Sequence, residues 1–381
     1  MKIIVNINPG LYTAVPDYYR FEIEVLNELM RRQASQQFFI ICQRLLAEHI
    51  HASPQVNFLF RRPPNSLLAK WWYNWRLRGL SRRIKPDLFL SFDADFAPGA
   101  NIYIPQCILL HGYTMSLSGI HSTGKHSRNS NTIRPNMLRR MNMMLCGSNW
   151  QKSQLVSRYG LDPGRILVLP IAPNSEFEPT GIGQQEMTRS NLTSTKNFFL
   201  FTADIQEPVQ FTLLLKAFSV FKKMQKSDWK LVIAHGNSHG ENEILKALKN
   251  YRFRRDVTVY RPPSANEWVM LTGAAYAFIY PAYWNGRDPA LLNAMKAGVA
   301  VICADDEASK EITRGAAVYA NVSDYKDIAD KMMAIYKDER MRQQMILKGL
   351  EALGGYGVGE AADILWSAMK KAVDLASKTE H

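Results

Sequence analysis

NFFLFTA, residues 197–203, is a run of aromatic and branched apolar residues with no polar alternation, followed within a few positions by the helical pattern QFTLLLKAF. A short continuous apolar run of this kind reads as a strand buried on both faces. Upstream, KIIVNI (2–7), QFFIIC (37–42), VNFLF (56–60), DLFLSF (87–92) and IYIPQCILL (102–110), then MMLCGS and RILVLP, alternate with helical stretches. That alternation predicts a doubly wound parallel sheet. The pattern weakens from about 171 to 196, where Pro, Gly, Ser, Thr and Asn accumulate. It restarts at NFFLFTA and continues through WKLVIA (229–234), VTVY (257–260), YAFIYP (276–281), VAVICA (299–304) and AAVYA (316–320).

Two successive Rossmann-like units follow, an α/β chain whose ligands should lie beyond the carboxyl ends of its strands, in a cleft between the two domains. The expected limits are 1–175 for the first domain, 176–196 for a linker and 197–357 for the second. Residues 358–381 form an amphipathic C-terminal helix, with Leu365 and Trp366 among its anchors, that packs on the body and could cross to the first domain. The total of 381 residues agrees, since one hydrophobic core rarely serves so long a chain.

Composition narrows the class. With 46% hydrophobic and 21% charged residues the chain is globular, neither disordered nor fibrous. Net charge is +13, and residues 1–180 hold 21 basic against 11 acidic side chains. The first half therefore suits an anionic partner: nucleic acid, an acidic membrane surface or a phosphorylated substrate. The four cysteines, Cys42, Cys107, Cys146 and Cys303, are dispersed, mostly in apolar runs, and read as reduced core residues. No apolar run approaches the length of a membrane helix, and MKIIVNI enters a strand without a signal-peptide pattern, so the expectation is a cytoplasmic protein, with room for peripheral contact at the inner membrane face.

NGRDPALLNAMKAGVAVI (285–302) is similar to the Glu-x7-Glu segment of family 4 glycosyltransferases, which have the GT-B fold. FFLFTADIQEPVQFTLLLKAF (198–218) resembles that family's first donor-domain strand, phosphate loop and helix. CGSNWQKSQLVSRYGLDPGRILVLPIAPNSEFEP (146–179) and ITRGAAVYANVSDYKDIADKMMAIYKDERMRQQMILKG (312–349) are similar to its acceptor-domain end and its C-terminal part. The resemblance implies a retaining transferase of the hexosyltransferase type, moving a sugar from a nucleotide-sugar such as a UDP- or GDP-sugar to a glycan or lipid-linked acceptor, without cofactor or metal.

Several positions depart from the family pattern. Both glutamates are replaced, by Asn285 and Asn293, and the Arg-Lys pair by Pro208 and Val209, with Ala203 standing where a glycine is usual. The family's Gly-Phe-Gly becomes Gly286, Arg287 and Asp288. By position, Asn293 would hold the ribose; Gly286, Arg287 and the Ala203 loop the diphosphate; Asn285 and His111 the transferred sugar. Asn285 could equally form an Asn-Gly turn, and His111 a structural hydrogen bond. Asp288 and Pro289 read as the N-cap and first residue of a helix. An Asn carbonyl can accept from a hydroxyl but lacks the charge-assisted strength of a carboxylate. Losing paired phosphate cations also removes charge from where the leaving diphosphate develops it. The rival expectation is a catalytically impaired member of the fold acting as a binding or scaffold subunit beside a partner glycosyltransferase.

Two further segments stand out. Residues 112–131, Gly/Ser/His-rich and without periodicity, read as a functional loop, although His121 and His126 fit no zinc spacing. Residues 61–85 carry eight basic side chains, no acid, and Trp71, Trp72 and Trp75. They read either as a helix with its tryptophans on the sheet or as an interfacial helix on anionic lipid. No nucleic-acid module accompanies them.

Overall fold

The computed structural model describes residues 1–7, 17–42, 44–60, 69–92, 104–110, 135–194, 196–202, 208–236, 238–283 and 289–378. Among these, seven strands form one parallel sheet: β1 (Lys2–Asn6), β2 (Gln37–Cys42), β3 (Val56–Phe60), β4 (Leu88–Ser91), β5 (Gln106–Leu110), β6 (Met143–Cys146) and β7 (Ile166–Val168). Six form a second: β8 (Phe198–Thr202), β9 (Lys230–Ala234), β10 (Val257–Tyr260), β11 (Ala277–Ile279), β12 (Ala300–Ala304) and β13 (Val318–Ala320).

The spatial orders are β3-β2-β1-β4-β5-β6-β7 and β10-β9-β8-β11-β12-β13, both all-parallel. In each, the chain winds outward one way, returns to the middle and winds out the other way, as in dinucleotide-binding folds. The apolar runs are contiguous because β1, β4, β5, β6, β11 and β12 are buried at nearly every position. The second unit's core centres on interlocked rings, with Phe199, Phe221, Trp229 and Tyr336 meeting at centroid distances of 5.1 to 5.9 Å. All four cysteines are buried and free, and burial pushes the Cys42 and Cys107 thiols up to about 12.

The described residues divide into one unit of those up to Ala172 together with those from Tyr356 onward, and another of those between Pro173 and Gly355. The stretch 176–196, expected as a linker, instead carries a helix, Ile182–Thr193, that packs on the helix Ala265–Ala274 of the second unit. Its Arg189 donates to the Ala274 carbonyl at 3.0 Å. Low apolar periodicity there reflects a helix with one partner and a solvated outer face.

The C-terminal helix, Val358–Ser377, belongs to the first unit. It buries Ala361, Ala362, Leu365, Ala368, Met369 and Ala372 and packs on the helix Asp17–Arg32 and over β4, β5 and β6. Arg32 grips Asp363 with one nitrogen at 2.7 and 2.8 Å from its two oxygens, and Lys371 donates to the Gly164 carbonyl.

Candidate functional site

In a doubly wound sheet, ligands gather at the carboxyl ends where the winding reverses. In the second unit that point lies between β8 and β11, neighbours through the pairs Ala277↔Phe199 and Phe278↔Leu200. β8 ends at Thr202 and β11 at Ile279. The segments emerging from those two strands are the ones that hold Ala203 and Asn285, Gly286 and Arg287. These four residues, and His111 beyond β5, lie outside the described residues. The topology nevertheless roots the two segments on adjacent strands, although about 80 residues of sequence separate them.

Asn293 is described fully. It sits in the helix Ala290–Lys296, which follows β11, and is 6% exposed. The helix starts at Pro289, which stands at the N-cap position and makes no side-chain cap, in place of the expected Asp288 cap with Pro289 as the first helical residue. Its neighbours Leu291, Leu292, Ala294 and Met295 are buried, so the polar Asn293 is held in an apolar setting and needs a partner.

That partner is the backbone of residue 174. The Asn174 N–H donates to Asn293 Oδ1 at 2.8 Å. One turn further on, Lys296 Nζ donates to the carbonyls of Asn174 and Ser175 at 3.2 and 3.1 Å. Asn174 Oδ1 in turn accepts from the Glu176 N–H at 3.0 Å, closing an Asx turn. Because a backbone N–H can only donate, it fixes the Asn293 amide with the oxygen toward residue 174. One lone pair of the carbonyl expected to accept from a ribose hydroxyl is therefore used within the protein, and the other keeps the same acceptor role.

The same segment is pinned further along. Pro179 Cβ lies 3.4 Å from where a side chain on Gly298 would begin, and Gly298 has φ +72°, a conformation open to glycine. A Cβ on Gly273 would fall within 2.7 Å of two Thr180 side-chain atoms. Residues 174–180 thus lie tightly against the C-terminal ends of the helices Ala265–Ala274 and Ala290–Lys296.

Sequence reasoning missed two features. Asn174 and Lys296 carry no motif signal, because their contact spans about 120 residues. His235 directly follows β9, is buried, and its backbone N–H donates to the Tyr260 carbonyl at 3.1 Å. The strand-end pair His235–Gly236 was the available signal. Beside it, Tyr260 donates to the Glu267 carboxylate, and that acceptor holds the phenol up at about 12. Among the described residues, no cluster of His, Cys, Asp or Glu could hold a metal ion.

Residues 184–351 match the family described as Glycosyl transferases group 1. The second unit is a group 1 glycosyltransferase domain. A curated relative, O-antigen chain mannosyltransferase B of Escherichia coli, is 20% identical over 210 residues, and the alignment spans 55% of each chain, about half the relative's length. Among solved structures, sucrose-phosphate synthase of Thermosynechococcus elongatus superposes with a TM-score of 0.76 at 13% identity, over 96% of this chain and 97% of that one. HepE of Anabaena, in complex with UDP and glucose, gives 0.73 at 11% identity over 97% and 99%. The fold is GT-B.

Proposed function

We propose that the chain transfers a hexose from a nucleotide-sugar to a glycan or lipid-linked acceptor, with retention of configuration and no resident cofactor or metal. The observation that carries this reading is the coincidence of the group 1 match over 184–351 with a sheet whose switch point roots the segments of Ala203 and Asn285–Arg287 on adjacent strands. The complex of a structural neighbour with UDP and glucose supports the choice of donor class.

On this reading the donor diphosphate meets the Gly286 N–H and the Arg287 guanidinium. Asn293 presents its NH2 to an oxygen of the ribose or phosphate, a donor edge where the family's carboxylate would accept. Arg287 supplies the charge that Pro208 and Val209 do not. Asn285 and His111 address the transferred sugar. Bond breaking places negative charge on the departing diphosphate, and an aimed cation with backbone donors stabilises it.

The test is isothermal titration of the whole protein with UDP, GDP and their common sugars. Micromolar binding of one nucleotide, lost in Arg287→Ala and weakened in Asn293→Ala, is expected. No binding across the panel would overturn the proposal and send the search toward a scaffold role beside another transferase.

A further inference from the structure

The helix Ala69–Ile84 in the first unit turns a face outward that the packing of that unit does not use. Its inner face is Leu77, Leu80 and Ile84, which pack with Ile4, Ile41 and Phe89. At ~100° per residue, Trp75 and Gly79 point the opposite way, with Arg78 and Arg82 on one flank and Arg76 and Arg83 on the other. Exposure follows this geometry. Trp75 is 62% exposed, Arg76, Arg78, Arg82 and Arg83 are exposed, and a Cβ on Gly79 would meet open space. The expected stripe of tryptophans on the sheet therefore fails at Trp75, because the leucines one turn on occupy the inward positions.

Among the described residues, Arg78, Arg82 and Arg83 make no ion pair or hydrogen bond, so like charges stand together on one helical turn and a half uncompensated. Trp75 exposes more of itself than any of the other large hydrophobic side chains of the unit's described residues. An indole ringed by guanidinium groups matches an anionic bilayer surface: the ring enters the headgroup layer while the arginines reach lipid phosphates on either side. A convex helix face offers no groove along which a nucleic-acid strand could run.

We propose that this face docks the protein on anionic lipid, with Trp75 as the inserted anchor and Arg78, Arg82 and Arg83 as the phosphate contacts. The inference stands apart from the sugar-transfer reading, because docking needs no donor and titration with nucleotide does not report it.

Cosedimentation of the full chain with vesicles of phosphatidylcholine alone, or mixed with phosphatidylglycerol, tests it. Binding is expected only to the mixed vesicles and should fall as salt shortens the screening length. Arg82→Gln/Arg83→Gln should weaken it about 25-fold, near fivefold for each charge removed. Trp75→Ser should weaken it at low and high salt alike, and brominated lipid should quench wild-type fluorescence more than that of Trp75→Phe. These substitutions are on an exposed face, and unchanged thermal unfolding confirms that each variant is folded. Equal binding to both vesicle types, or variants that bind like the wild type, would overturn the proposal. Retention by a single-stranded oligonucleotide in place of vesicles would do so too, assigning the face to nucleic acid.

Discussion

Replacing Asn293 by Ala removes the acceptor of the Asn174 N–H and leaves that donor half-buried beneath the segment it anchors. An unsatisfied donor of this kind costs about 1–3 kcal/mol. For a domain of this size each kcal/mol lowers the melting temperature by roughly 2–4 °C, so a fall of about 2–12 °C in the second unit's transition is expected. Lys296→Met keeps the aliphatic stem but frees the carbonyls of Asn174 and Ser175 to water, and should cost less. Since both side chains grip residue 174, the double variant should depart from additivity by about 0.5–1.5 kcal/mol. Scanning calorimetry and urea titration of the four proteins provide the measurement. An Asn293→Ala melting temperature within 1 °C of wild type would refute the clamp, and strict additivity would refute the shared anchor.

Leu365→Ala should cost about 2–5 kcal/mol, because Leu365 is wholly buried in the C-terminal helix. The loss should appear as faster hydrogen exchange in β4–β6 and not in β8–β13; the reverse pattern would contradict the assignment of that helix to the first unit. Burial raises the Cys42, Cys107 and Cys303 thiols, so the folded state keeps protons that the unfolded chain releases above its ordinary cysteine pKa of about 8.5. Their contribution is therefore complete below that pH and declines as pH rises toward 12; a Cys42→Ala/Cys107→Ala/Cys303→Ala variant should show a shallower alkaline fall in urea stability than wild type, and an identical slope would contradict this.

The strands were legible because their apolar runs serve both sheet faces. QFFIIC, VNFLF and VTVY coincide with β2, β3 and β10, and the remaining runs lose only a residue or a few at their ends. Ends are set by hydrogen-bond partners that the local sequence does not contain. The helix Ile182–Thr193 was hidden by its composition, since Gly, Gln, Ser, Thr and Asn also make loops and only its packing on Ala265–Ala274 reveals it. Asn293 was found by its place in the motif, but its bond to the backbone was not, because the donor, Asn174, lies 119 positions earlier. Trp75 shows a related limit. Aromatic spacing alone cannot say which of two apolar stripes on one helix turns inward, and here the leucines one turn later do.

The C-terminal helix has a consequence for how the protein is made. The seven-stranded unit is complete in strands once Val168 is synthesised, yet the helix covering β4–β6 begins at Val358. At about 5–20 residues per second, a ribosome needs roughly 10–40 s to cross the interval, during which the apolar surface meant for Leu365 and Met369 has no cover. The transferase domain, encoded between, is finished first. A nascent chain thus carries one completed domain and one open sheet until Val358–Ser377 is made, and a premature stop after Gly355 would release the same unfinished species permanently.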